Sequence, residues 1–407
     1  MNMFYGWVIA GTGIFISIIG LGLRYSYGVF LKSIEAEFVM TRAATSSIFS
    51  VNMLLCSVIA VLGGWSMDRF GPKKIGILMG TFTGLSLLLT SLATEPWQLF
   101  ITYSLFFSLG TGAIYVVVNS TASRWFVKKR GFVVGLTSAG GGVGTLFIAP
   151  FSTVLISSFH WRTAFIILGL LSWIGIAGAS FLFKKDPREL GLYPDGRKPV
   201  APQGATQKKA ENRSGTGLSL GQAARMRQFW ILGLSWLFLS LSIHLVFVHI
   251  VPYAVDPGIS AMDASFILSL LGVANVLGRV GLGRISDSIG RKSMAVTCAV
   301  IQIAALLWII WARQSWMFYG FALLFGFTFG GSSTLITIFV GDIFGTRSLG
   351  TIMGVLTAGF AIGAAIGPAV GGVIFDVSGH YSMAFATGII ATAIFGCLMA
   401  SIRKVSE

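Results

Sequence analysis

Gly64-Trp65-Ser66-Met67-Asp68-Arg69-Phe70-Gly71-Pro72-Lys73 and Gly283-Arg284-Ile285-Ser286-Asp287-Ser288-Ile289-Gly290-Arg291-Lys292 carry one pattern twice, Gly-x-x-x-Asp-x-x-Gly-x-Lys, in a chain of 407 residues. Other residues match at the same displacement: Trp97 with Trp316, Gly112 with Gly331, Gly131 with Gly350, Gly135 with Gly354, Ala139 with Ala358, and Gly144 with Gly363. Separate matches at one offset mark an internal duplication. Each copy of the pattern lies between two long apolar runs, so the repeated unit is a set of apolar segments.

Those runs define the class. The chain is 55% hydrophobic and only 11% charged, against about 25% charged in ordinary globular domains. A hydrocarbon slab of about 30 Å takes about 20 apolar residues per helix. Twelve stretches qualify, near 5–31, 44–66, 74–93, 97–122, 131–156, 162–183, 229–252, 262–285, 293–312, 316–341, 349–375 and 381–402. They are continuous, without the alternation of an outer-membrane barrel. The expectation is an all-α membrane protein of twelve transmembrane helices in two pseudo-symmetric six-helix bundles. Residues 1–183 form the first bundle, 184–228 a polar linker and 229–407 the second, the halves being parallel repeats about an axis along the membrane normal. The first run lacks a basic leader and a small-residue cleavage site, so it reads as a retained helix. The linker's last stretch, Leu220 to Trp230, reads as a short interfacial helix.

A net charge of +15 first suggests a polyanionic partner. Placing the charges removes that reading. With the N-terminus inside, only Lys32, Arg42, Arg162 and Arg313 fall outside, and only Arg24 and Arg279 fall within spans; every other Lys and Arg lies in cytosolic segments. This is the positive-inside asymmetry of a plasma (inner) membrane protein with both termini cytosolic, not a nucleic-acid footprint. Cys56, Cys298 and Cys397 all lie in apolar runs, which fits packing better than disulfides or metal ligation.

The duplicated loop resembles the signature loop of the major facilitator superfamily. Gly64, Gly71, Gly283 and Gly290 suit tight turns and close helix contact, and Asp68 and Asp287 suit capping or pairing with basic neighbours. Pro72 and Ser288 depart from the usual basic residues. A finer resemblance runs through Arg124-Trp125-Phe126-Val127-Lys128-Lys129-Arg130-Gly131, the opening Tyr5-Gly6-Trp7, and Ala274-Asn275-Val276-Leu277-Gly278-Arg279. These are similar to monocarboxylate (lactate/proton) transporters, here in a bacterial form, and to oxalate/formate antiporters. The resemblance implies a central path lined mainly by spans one, four, seven and ten, with eight and eleven contributing.

Arg279 is the sharpest candidate. A guanidinium at membrane depth costs roughly 2.5–3.5 kcal/mol on insertion scales, and no acidic residue lies within a helical turn of it. Its planar fork matches a carboxylate, with Asn275 one turn away on the same face; the competing reading is snorkelling or backbone pairing. Tyr115 and Asn119 form a second i,i+4 polar pair, either substrate ligands or interhelical glue. His244 and His249 in span seven are candidate proton or substrate contacts, with satisfied packing as the alternative. Arg24 and Tyr27 belong to a polar patch in span one. Ser332, Ser333, Thr334 and Thr337 suggest cavity lining in span ten.

All 14 carboxylates fall at span ends, in loops or in tails. The resemblance implies an Asp where this chain has Asn275 and a Lys where it has Tyr25. Proton coupling would then rest on a histidine or on the cargo's own carboxyl group. The expectation is a monomeric, proton-coupled carrier of small monocarboxylates such as L-lactate, working by alternating access with lipid, cargo and proton as its partners. An oxalate/formate-type exchanger is the first alternative and a drug exporter of the same fold the second. No nucleotide loop, metal cluster, cofactor motif or nucleophile–base spacing argues for an enzyme.

Overall fold

The computed structural model describes residues 4–127, 129–196, 218–345 and 349–402. Twelve helices among them are long and apolar enough to cross a membrane: Tyr5–Phe38, Arg42–Phe70, Pro72–Ser91, Pro96–Trp125, Gly131–Phe159, Trp161–Ser180, Arg227–Val255, Ala261–Ile289, Arg291–Ile310, Ser315–Phe344, Thr351–Ser378 and Ser382–Ser401. They are numbered here as spans one to twelve. The chain is an all-α, multi-pass membrane protein. Backbone polar groups must be satisfied inside the segment that crosses lipid, and helices do that alone. Trp97 and Trp316 stand exposed at matching span ends, where amphipathic rings favour the membrane interface. Leu220–Ala224 forms a one-turn helix capped by Ser219 and Gln222, and span seven starts after a break at Met226.

The duplicated loops close spans two and eight. Gly71 and Gly290 take φ of 83° and 94°, a left-handed conformation that strains any side-chain-bearing residue. Each loop is tied to its own half. Asp68 pairs with Arg124 at 2.6 Å at the end of span four, and Lys185 donates to the Asp68 carbonyl. In the second half the polarity reverses: Arg291 pairs with Asp287 and with Asp342 at the end of span ten.

Two spans break where polar residues gather. Span one is interrupted at Ser26, whose hydroxyl donates back to Gly22 O at 2.7 Å, a local bond that bends helices. Arg24 and Tyr25 sit just before the break. Span four widens into a π segment over Phe100–Phe106 and is interrupted again at Gly112–Ala113, just before Tyr115. Inserted residues of this kind recur at functional positions.

The halves meet mainly along two seams, span two on span eleven and span five on span eight, and span one past Ser26 also rests on span seven. At the second seam a β-carbon on Gly142 would stand 2.4 Å from Gly272 O, so main chain rests on main chain. Span ten supports span eight in the same way within the second half. A β-carbon on Gly330 would lie 2.0 Å from Asn275 O and 2.8 Å from Arg279 N.

The face opposite the basic loops is closed by a cluster that crosses the two halves. Arg42 donates to Glu35 at 2.9 Å, to Tyr381 Oη at 2.8 Å and to Asp256 at 3.4 Å, and its guanidinium lies over the Phe375 ring. Lys32 reaches Asp256 at 2.6 Å. Asp376, from span eleven, accepts from the backbone N–H groups of Arg42 and Ala43 at 2.9 and 2.8 Å. One half thus caps a helix of the other, where the dipole favours an anion. Burial pushes the Tyr381 hydroxyl pKa up, so it remains a neutral donor. It donates to His249 Nδ1 at 3.0 Å, while His249 Nε2 donates to Pro368 O at 2.9 Å; the acceptor-only carbonyl assigns this tautomer.

Two outcomes follow from this packing. Charge-assisted hydrogen bonds are worth about 1.5–3 kcal/mol each. Arg42→Ala should therefore shift the population toward opening of this face by roughly tenfold or more, read as a longer distance between spin labels at exposed Val39 and Val377 in a cysteine-free background. An unchanged distance distribution would refute the lock. For the glycine support, Gly330→Ala should lower the thermal midpoint by a few degrees, because overpacking costs about 1–3 kcal/mol. Gly341→Ala, at a position with open space, should hold or raise it; equal behaviour of the two variants would contradict the contact.

Candidate functional site

Between the halves lies a cavity of about 1060 Å³ that runs from just past mid-depth to the basic face. Spans one, two, four, five, seven, eight, ten and eleven line it. Its wall is mostly apolar and aromatic, with Tyr25, Trp236, Phe247, Phe329 and Phe360 among the rings. Polar groups are few. Among the described residues, no Asp or Glu lines the cavity.

Span eight supplies Arg279 and Asn275. One turn apart, they face the same way, and Asn275 Oδ1 accepts from Arg279 Nε at 3.1 Å. That bond orients the guanidinium and leaves its two terminal nitrogens available. Asn275 Nδ2 is buried without a partner. Span ten fixes the height of this pair through Gly330.

Arg24 is the cation whose position sequence reasoning left open. It does not snorkel to the outer interface. It is 6% exposed and lines the cavity, within electrostatic reach of Tyr25, Cys56, Tyr103 and His244. Its Nε and Nη2 find no hydrogen-bond partner. Tyr25 lies within electrostatic reach of both arginines, beside Tyr115, and packs its ring against His244 and Phe247 of the other half.

His244 lines the cavity as well. Its Nδ1–H donates to Ser240 O at 2.9 Å, and Ser240 Oγ, committed as donor to Phe360 O, accepts a second contact. Nε2 has no hydrogen-bond partner among the described residues. The cavity therefore gathers Arg24, Tyr115, His244, Asn275 and Arg279 of the expected residues.

Three others lie outside it. Tyr27 donates to Thr45 O at 2.6 Å and stacks on Phe49 within the first half. Asn119 joins span four to span five, donating to Ser138 Oγ at 3.2 Å and accepting from Thr137 Oγ1 at 2.7 Å. His249 belongs to the Arg42 cluster, with both ring nitrogens engaged. In span ten, Ser333 and Thr337 line the cavity while bonding back to their own helix; Ser332 and Thr334 do not line it. Trp236 was missed by sequence reasoning. Its Nε1 is buried and unpartnered at the cavity wall, and one tryptophan in an apolar span gives no signal of that.

Comparison with known proteins agrees with this architecture. The profile of the Major Facilitator Superfamily matches residues 10–313 and 250–407. "Monocarboxylate transporter 12" of Xenopus laevis is 26% identical over 396 residues, covering 94% of this chain and 85% of that protein. An MFS-type transporter of Escherichia coli (strain K12), YhjX, described as uncharacterized, is 23% identical over 354 residues, covering 86% and 84%. A bacterial homolog of the human lysosomal transporter Spinster, solved in an inward-facing, occupied conformation, superposes with a TM-score of 0.76 at 14% identity. The match covers 98% of this chain and 96% of that one. With the duplicated loops, the twelve spans and a profile match across nearly its whole length, the chain belongs to the Major Facilitator Superfamily of transporters.

Proposed function

We propose that the protein is a proton-coupled secondary carrier of small monocarboxylates, with L-lactate as the expected cargo, working by alternating access. One observation carries the reading: Arg279 stands in a membrane cavity oriented by Asn275, and among the described residues no carboxylate lines that cavity. An Asp at Asn275 would neutralise the charge internally. With an amide there, the cargo supplies the anion, and the planar fork suits a carboxylate bidentately. Relatives named monocarboxylate transporters support the cargo class.

The positive-inside rule makes the basic face cytosolic and puts both termini inside the plasma membrane. The cavity then opens inward while the Arg42 cluster seals the outside. The carrier acts as a monomer, needs no cofactor and uses the proton as coupling ion.

Hydrogen-bond bookkeeping separates the two histidines as proton carriers. His244 can gain a proton at Nε2 without breaking a bond. His249 accepts from Tyr381 at Nδ1, so protonation there would break the lock. His244→Ala should abolish stimulation of lactate uptake by an inward proton gradient in proteoliposomes, with counterflow exchange retained; gradient-driven uptake that persists at wild-type level would exclude His244. For the cargo site, Arg279→Lys should weaken lactate binding by about tenfold or more, since a point charge cannot reproduce the fork, and Arg279→Gln should remove it. Retained affinity in the Lys protein would show that simple charge suffices.

A further inference from the structure

Six buried side-chain polar atoms among the described residues lack a hydrogen-bond partner, and four of them belong to residues lining the cavity. All four are N–H donors: Arg24 Nε and Nη2, Asn275 Nδ2 and Trp236 Nε1. Buried donors normally find acceptors, and an unmatched one carries the full cost of desolvation. Their shared need is therefore oxygen-rich, and it is spread over both halves. Arg24 and Arg279 bring one guanidinium each, from span one and span eight, into one cavity, both within electrostatic reach of Tyr25. A single carboxylate on Arg279 leaves Arg24 as a buried, uncompensated cation.

We infer that the cavity also accepts short dicarboxylate dianions, one carboxylate held by Arg279 and Asn275 and the other by Arg24, so that the cargo bridges the two halves. The inference rests on the carboxylate reading of the site and extends its substrate class. Charge matching gives it a direction: among the described residues the wall holds two cations and no anion, which favours a dianion over a monoanion of equal length. The cavity volume, well above that of a three-carbon acid, leaves room for the longer molecule.

The test compares four-carbon probes on the purified full-length protein in nanodiscs by isothermal titration calorimetry. Succinate should bind at least about tenfold tighter than butyrate. Monomethyl succinate, which keeps the length and loses one charge, should fall back to the butyrate level in the unmutated protein, a comparison that needs no variant to fold. Arg24→Gln should erase the preference for succinate, read as the ratio of succinate to butyrate affinity within the variant, and Arg24→Lys should restore part of it. Succinate binding no better than monomethyl succinate, or a preference that survives in Arg24→Gln, would overturn the inference and leave the monocarboxylate site standing. Failure of both butyrate and succinate to bind would instead remove the carboxylate reading on which it rests.

Discussion

Everything on the cavity side of this molecule depends on a charge cluster at the far side. Arg42 joins Glu35 of its own half to Asp256 and Tyr381 of the other, and Asp376 crosses the seam to cap the helix that begins with Arg42. These contacts are partly desolvated, so they act at lower effective dielectric than surface ion pairs. Because they close one face, the opposite end of each seam is free to part. The cavity is the space left by that parting.

The cavity has an unbalanced wall. Its aromatic lining contributes low dielectric, its unpartnered buried polar atoms are all donors, its charges are positive, and among the described residues no carboxylate lines it. A soluble protein would cover such groups with water or an acidic neighbour. Here the bonds the protein does make, Asn275 to Arg279 and Ser240 to His244, orient donors and consume few of them. Orientation without satisfaction is what distinguishes this site from the outer cluster, where every partner of Arg42 comes from the protein.

The sequence made some of this plain and withheld the rest for physical reasons. Apolar runs and a fixed-offset repeat report on the bilayer and on duplication, so the twelve spans and the signature loops could be read directly. Arg279 stood out because charge in an apolar run is costly wherever it points. Direction was harder. Tyr115 and Asn119 share one helical face, yet that face is wide enough for Tyr115 to meet the cavity and Asn119 to meet span five. The break at Ser26 changes the direction of span one between Arg24 and Tyr27, which no strict helical period anticipates. His244 and His249, five residues apart, face different surroundings for the ordinary reason that five residues rotate a helix by more than a full turn. Asp376 on the end of span two joins residues over three hundred positions apart, and no local pattern announces it.

The bare main-chain contact of Gly142 with Gly272 gives the assembly its leverage. Both residues lie close to the middle of their spans, so the contact works as a fulcrum with arms of similar length. With a half-slab of about 15 Å as the arm, a swing of about 15° displaces an end by about 4 Å, enough to pull every cluster nitrogen away from its oxygen. The same swing brings the other ends together by a like amount. Under the proposed alternating access, two rigid halves rocking about this contact would open at one end as they close at the other.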